Sequence, residues 1–392
     1  MGTFEVADVF RQFGPSYLER FGARMLPSHR RAIEDIVACR TRAMGGHVYQ
    51  CCDCGEHFHV YHGCRNRSCP ACHTRQTQDW LEARAAELLP CPYYHVTMTV
   101  PSELRDMFRA NQKDCYGLLM KAAAETVMAL CQDKRYMGAK PAILAVLHTW
   151  NGTMGYHPHV HLLVSGGGIA DGGATWREAK HRFLFPVRAA SPMLCGKFRA
   201  LLEKRQPGLA DQQPGAAWTK KWVVWCKYWG RGETAVLDYL ARYAYRIAIV
   251  NARIVAMDER SVTFRYKERK KSRWGTCTVT GHEFMRRFLQ HVLPKGLHKV
   301  RYYGLWNPKL RAQQQNARIA LELAQAPVEE IGGAQDLDGT DENQELGATI
   351  GSDTPDAGPA CPHCGSANTR HQGELRPGRR RHPPRASPSK AA

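Results

Sequence analysis

The stretch YHPHVHLLVSGGG, residues 156–168, sets a histidine at every second position and closes on three glycines. Side chains along a strand alternate between its two faces. His157, His159 and His161 therefore share one face, and Pro158, Val160 and Leu162 share the other. One histidine in such a place reads as a hydrogen-bonded core residue. Three in register would each need a partner once buried, and a single ion can serve two or more imidazoles at once. His159-Val160-His161 is also the His–hydrophobic–His pattern written HUH. Any strand can contain that pattern by chance, so its meaning depends on a nucleophile placed to use the metal.

The segment AVLDYLARYAYRIAIV, 235–250, offers one. Its periodicity predicts a helix. Tyr239 and Tyr243, four apart, share a helical face; Arg242 and Arg246 run along an adjoining one, and Tyr245 points roughly opposite. Taken alone, this is an amphipathic helix with tyrosines in the core. Taken with the histidine strand, it is a phenol beside a metal site. A tyrosine oxygen can attack a phosphodiester when a divalent ion polarises the phosphate and arginines steady the strand. The exchange conserves bond energy and needs no nucleotide hydrolysis. Consistently, the chain has no G-x-x-x-x-G-K-[ST] loop, and it also lacks H-E-x-x-H, which argues against a zinc protease.

Around these two segments the chain predicts strands at 93–100 and 142–150 and helices at 103–133 and 177–205. Short strands follow near Ile254, at 262–266 and at 277–279, then a helix at 283–293 and a strand at 299–303. Helices and strands alternate irregularly, with short turns between several strands. That favours an α+β fold with a mixed or antiparallel sheet over a doubly wound one.

Seven of the 15 cysteines fall between Cys39 and Cys72. The segment CCDCGEHFHVYHGCRNRSCPAC contains Cys51-x2-Cys54 and Cys69-x2-Cys72. Two CxxC turns can complete a tetrahedral zinc site, and the Gly after Cys54 and the Pro after Cys69 suit such knuckles. Cys51, Cys54, Cys69 and Cys72 are the expected ligands of a closed, structural zinc, with Cys64 as the main competitor. Arg65 and Arg67, inside this module, are candidates to hold a phosphate backbone. The pair Cys361/Cys364 is half a site.

The chain has 392 residues and a net charge of +19, which points to a polyanion, most often nucleic acid. VTFRYKERKKSRWG, 262–275, carries Lys267, Arg269, Lys270 and Lys271 beside Phe264, Tyr266 and Trp274. Charge for phosphates and rings for bases suit a single strand. No apolar run approaches a membrane span and no N-terminal signal pattern is visible, so a cytoplasmic location is expected. After about Ala326 the chain turns acidic, then basic and proline-rich, a composition that predicts disorder.

In order from about Leu26 to Leu321, the chain resembles the two-tyrosine HUH transposases of bacterial insertion sequences thought to move by rolling-circle replication. The matching stretches include LPSHRRAIEDIVACRTRAMGGHVYQCCDCG, YHGCRNRSCPACHTRQ, HPHVHLLVSGGGI, VLDYLARYAYRIAIVNARI, VTFRYKERK and EFMRRFLQHVLPKGLHKVRYYG. The resemblance implies an HUH nuclease-like antiparallel sheet flanked by helices and preceded by a small zinc-binding module. It implies His159 and His161 as ligands of Mg or Mn, His157 as a third, and Tyr239 and Tyr243 as nucleophiles. Some relatives keep a single tyrosine, at the position of Tyr243. The expected domains are a helical and zinc-binding part at 1–90, a catalytic part at 91–325 and a disordered tail at 326–392. The expected activity is cleavage and rejoining of single-stranded or hairpin DNA at element ends through a 5′-phosphotyrosine link, by a nucleoid-associated protein. Rival readings are a plasmid replication initiator or relaxase with the same chemistry, a non-catalytic zinc-ribbon DNA-binding protein, and a zinc hydrolase at the three histidines.

Overall fold

The computed structural model describes residues 4–72, 89–170, 175–180, 182–232, 236, 239, 243, 246–268, 273–325 and 358–378. The chain begins with helices α1 (Val6–Phe21) and α2 (Pro27–Ala38), then strands β1 (Gly46–Cys51), β2 (His57–Tyr61) and β3 (Pro92–Thr99). Helices α3 (Arg105–Ala110) and α4 (Gln112–Gln132) lead to strands β4 (Lys140–Trp150), β5 (Tyr156–Ala170) and β6 (Thr175–Glu178). Helices α5 (Val187–Arg205) and α6 (Ala216–Thr219) precede strands β7 (Val223–Arg231), β8 (Ile254–Met257), β9 (Ser261–Glu268) and β10 (Arg273–Thr280). The remaining elements are helix α7 (Gly281–Leu289), strand β11 (Val300–Gly304), helix α8 (Arg311–Gln325) and strand β12 (Thr369–Leu375).

The chain divides into two compact units, residues 1–37 with 66–326, and residues 38–65 with 327–392. This division differs from the expected boundary at residue 90, because α1 belongs with the large unit. There its Phe10 meets Phe288 of α7 edge-on, with ring centroids 5.1 Å apart.

The large unit is built on a six-stranded sheet of order β11-β4-β5-β3-β7, with β6 on the far end of β5. Every pairing in it is antiparallel. The alternation of the strands sorts side chains cleanly. Tyr94, Val96 and Met98 of β3, Ile143, Ala145 and Leu147 of β4, and Val160, Leu162 and Val164 of β5 join one core. Helices α4 and α5 cover that face with Tyr116, Leu119, Leu194 and Phe198. Tyr93, Leu144, Val146 and Leu163 point the other way, to a second core with Tyr239, Trp306 and Leu321. The histidines lie on this second face.

Strand β5 does not stop at the glycines; it runs through them to Ala170. Each glycine sits where a neighbour presses on the backbone. A Cβ at Gly167 would come within 2.5 Å of the Trp176 ring, and one at Gly168 within 2.2 Å of the Lys140 carbonyl. A Cβ at Gly166 would meet Tyr94 and Pro92 of β3 at 2.9–3.0 Å, so the three glycines are a packing requirement of β3, β6 and β4 on β5.

Strands β10, β9 and β8 form a second, antiparallel sheet, also in the large unit. The small unit is a third, of order β12-β1-β2. Its strand β12 lies in the stretch where composition predicts disorder. Residues 358–378 instead form a turn and a strand paired antiparallel with β1, from Gly46 opposite Leu375 to Cys51 opposite Thr369. The partner strand lies some three hundred residues earlier in the chain, so local composition could not reveal the pairing. The rest of the tail, 326–357 and 379–392, lies outside the described residues. No helix among the described residues is long and apolar enough to cross a membrane.

Candidate metal and nucleophile site

Strand register brings the histidines together. His159 on β5 is opposite His148 on β4 and Thr99 on β3; His161 is opposite Val146 and Thr97. His148, His159 and His161, all buried, each offer a ring nitrogen, and these nitrogens lie within 4.8 Å of one another. The resemblance implies His157 as a third ligand beside His159 and His161. In the structure the group is completed by His148, while the His157 Nδ1 lies 3.2 Å from an Arg105 guanidinium nitrogen. The signal for His148 was present in LHTW, but its meaning depends on cross-strand register, which a single sequence does not display.

Hydrogen bonds set the ring tautomers. His159 Nδ1 donates to the His157 carbonyl at 2.7 Å, which puts the acceptor lone pair on Nε2. His148 Nε2 donates to the Tyr243 carbonyl at 2.7 Å, which puts the acceptor on Nδ1. His161 Nδ1 lies 2.9 Å from His95 Nε2 and 3.1 Å from Thr97 Oγ1. Burial pushes His148 well below the usual imidazole range, and pushes His95 down to about 3. Neutral imidazole is the form that binds metal, so the donor set fits a divalent ion. Imidazoles suit borderline transition ions better than magnesium.

Tyr243 lies against this group. Its ring centroid is 4.3 Å from that of His161 and 4.5 Å from that of His95. The Tyr239 ring is 5.1 Å from Tyr243 and 5.5 Å from His95, so both tyrosines are on the histidine face of the sheet. They differ in setting. Tyr243 is half-buried, whereas Tyr239 is fully buried and its hydroxyl has no hydrogen-bond partner among the described residues. Burial, and then the nearby Tyr243, push the Tyr239 phenol well above its ordinary value. The expected helix over 235–250 does not persist to its end: 246–250 are described and are not helical. Ile247, Ile249 and Val250, all β-branched, disfavour its continuation.

Strand β7 is not among the elements expected from the sequence, although VVWCKYWG is rich in β-formers. It pairs with β3 at the end of the sheet. Its Trp229 stands 5.2 Å from His95 and 5.7 Å from Tyr243, centroid to centroid. Trp225 is 5.2 Å from His95 yet 45% exposed, and Val223 on the same strand face is 61% exposed.

A cavity of about 360 Å³ opens nearby, lined by Trp150, Arg246, His291, Leu297, Lys299 and Tyr302 among others. Trp150 stacks on His148 at 4.5 Å and lies under the Lys299 ammonium at 5.3 Å. Lys299 donates to the Arg246 carbonyl. Loss of solvent, then the Arg67 guanidinium, push Lys299 down. Arg67 itself donates to the carbonyls of Leu293, Pro294 and Leu297, so its part is structural. Lys267 is exposed on β9, paired with Trp274, whose ring lies 5.0 Å from the Arg265 guanidinium. Arg242, Arg269, Lys270 and Lys271 lie outside the described residues.

The cysteines group differently from the sequence expectation. Cys51 and Cys54 stand with Cys361 and Cys364, their sulfurs within 4.8 Å of one another. The β1–β12 pairing carries the tail turn to them. Cys69 and Cys72 form a turn in the large unit, with Cys72 N–H donating to the Cys69 carbonyl. Cys64, the competitor, gives its N–H to Cys39 Sγ at 3.5 Å in the small unit.

A family model described as "Putative transposase" matches residues 142–315, and one described as "Transposase zinc-binding domain" matches 9–100. The chain is 38% identical over 327 residues to "Putative transposase y4qJ" of Sinorhizobium fredii, covering 79% of this chain and 82% of that protein. It is 24% identical over 289 residues to the transposase for insertion sequence element IS801 of Pseudomonas savastanoi pv. phaseolicola, covering 69% of this chain and 68% of that one. No solved structure matches. The chain belongs to the two-tyrosine transposase family of insertion sequences, with that family's zinc-binding domain.

Proposed function

We propose that this transposase cleaves and rejoins single-stranded DNA at element ends with Tyr243 as the first nucleophile, acting beside a divalent ion. The observation that carries the reading is the Tyr243 ring 4.3 Å from that of His161, on the face that also holds His148 and His159. A manganese or magnesium ion held by His148, His159 and His161 would polarise the scissile phosphate. The Tyr243 oxygen attacks phosphorus; the O–P bond forms as the P–O3′ bond breaks. The phenol proton leaves to solvent, and the departing oxygen takes up a proton to become a 3′ hydroxyl. One phosphodiester replaces another, so the free energy for rejoining is retained. Tyr239 takes the second transesterification, which requires its buried phenol to become exposed. Trp225 and Val223 offer a surface for unstacked bases, and Arg246 and Lys299 a place for the strand's phosphates. The setting is cytoplasmic, at nucleoid DNA.

The test incubates the protein with labelled single-stranded DNA carrying an element end and Mn²⁺, and looks for a covalent adduct after denaturation. The reading predicts an adduct in the wild type and none in Tyr243→Phe. DNA bound but never linked would favour a zinc-ribbon binding protein. Cut product without any covalent species would favour a zinc hydrolase. An adduct formed on plasmid origins but not on element ends would favour an initiator or relaxase.

A further inference from the structure

The zinc-domain match ends at residue 100, yet the cysteine group at Cys51 draws half its members from beyond residue 360. The two halves have the same build. Cys51-Cys52-Asp53-Cys54-Gly55 and Cys361-Pro362-His363-Cys364-Gly365 are both C-x-x-C-G. In the first, Gly55 N–H donates to the Cys51 carbonyl at 3.0 Å and Cys51 N–H to the Glu56 carbonyl at 2.9 Å. In the second, Gly365 donates to Cys361 and Cys361 to Ser366, each at 2.8 Å. The closing glycines have φ of 76° and 78°, a region open to glycine at little cost. Two local sequences thus fold into the same knuckle, facing each other.

The sulfur spacing fits an ion. Cys51 Sγ lies 3.5 Å from Cys364 Sγ, and Cys54 Sγ lies 3.7 Å from Cys361 Sγ. Four sulfurs about 2.3 Å from a zinc ion stand roughly 3.8 Å apart at the corners of a tetrahedron. A disulfide would need about 2.05 Å. Around the sulfurs the two knuckles are tied: the Asp53 carboxylate accepts from Ser366 Oγ and from Asn368 Nδ2, and Cys52 N–H donates to the Asn368 carbonyl.

The small unit also needs such a centre. Among the described residues it has a buried apolar cluster of Cys51, Phe58 and Cys361, with Tyr49 packed against it. A cluster of this size among the described residues offsets little of the ordering of three strands, which is the usual circumstance of a structural metal.

We propose that Cys51, Cys54, Cys361 and Cys364 bind one structural zinc ion, so that the C-terminal CPHCG turn completes the site that begins at Cys51. The four ligands are all protein, which closes the site to substrate. Strand β12 then depends on metal for its place beside β1. The inference does not rest on the tyrosine chemistry.

Zinc is counted in the full-length protein and in three full-length variants: Cys51→Ser/Cys54→Ser, Cys361→Ser/Cys364→Ser, and all four together. Each pair is expected to lose one ion, and the fourfold variant no more than either pair. Wild-type zinc content in Cys361→Ser/Cys364→Ser would overturn the proposal, as would a fourfold variant that loses twice what either pair loses. A conservative variant guards against simple misfolding. Cys361→His should keep its ion, and in the cobalt-loaded protein the thiolate-to-metal absorption of that site should fall by roughly a quarter, one thiolate of four being replaced. An unchanged cobalt spectrum would count against Cys361 as a ligand.

Discussion

His148 of β4 and His159 of β5 stand directly opposite each other across an antiparallel pair, their rings 5.4 Å apart and nearly perpendicular. That register, more than the HPHVH run itself, decides which imidazoles can share an ion. His157 is on the same strand as His159 but outside the group that His148 completes.

Metal affinity should follow this register. His148→Ala is expected to weaken Mn²⁺ binding by at least about tenfold, the scale on which metal sites lose affinity when their arrangement is disturbed. His157→Ala should stay within about threefold of wild type. Calorimetric titration with Mn²⁺ compares the two, and the reverse order would return His157 to the ligand set. With three imidazoles as donors, Mn²⁺ should also bind more tightly than Mg²⁺.

Trp225 is predicted to stack on a base. It is large, 45% exposed and 5.2 Å from His95. Trp225→Ala should cost about 1–3 kcal/mol of single-strand affinity, with little change in Tm. Fluorescence anisotropy with a labelled oligonucleotide reads the first and a thermal melt the second. Wild-type affinity in the variant would remove β7 from the DNA surface.

Tyr239→Phe should fold at least as stably as wild type. The substitution removes a buried hydroxyl that has no hydrogen-bond partner among the described residues, and such a group costs about 1–3 kcal/mol when left unsatisfied. The first cleavage should survive in this variant and strand transfer should fail. A sharp fall in Tm would mean that the hydroxyl is bonded after all.

Acid should destabilise the large unit before its carboxylates protonate. Burial lowers His95 to about 3 and His291 to about 4, so both are neutral in the folded chain at pH 5, while the unfolded chain binds their protons from about pH 6.5 downward. The stability these groups contribute is complete above pH 6.5 and falls as pH drops through that window towards the folded values. Each such histidine supplies a slope of up to roughly 1.4 kcal/mol per pH unit. Denaturant melts between pH 7 and 4.5 should show the decline, and His291→Gln should make it shallower. A flat profile would contradict the burial of neutral imidazole.

Much of this fold could be read from period alone. The alternation at 156–165 put Val160 and Leu162 in one core and His159 and His161 on the opposite face, where the structure has them. The four-residue spacing of Tyr239 and Tyr243 likewise placed their rings together. What escaped were facts of long-range pairing. His148 and His95 become neighbours of the histidine strand only through register on β4 and β3, and Cys361 meets Cys51 only through β12. Strand β7 is a different case: VVWCKYWG is rich in β-formers and Gly230 and Gly232 flank its end, so its signal was local and was not drawn on.

The most direct test of the central claim is to digest the covalent protein–DNA adduct and locate the modified peptide by mass spectrometry. The account predicts a phosphodiester on Tyr243. DNA attached to any residue other than Tyr243 in the first cleavage product, or no attachment at all under conditions where the strand is cut, would contradict it.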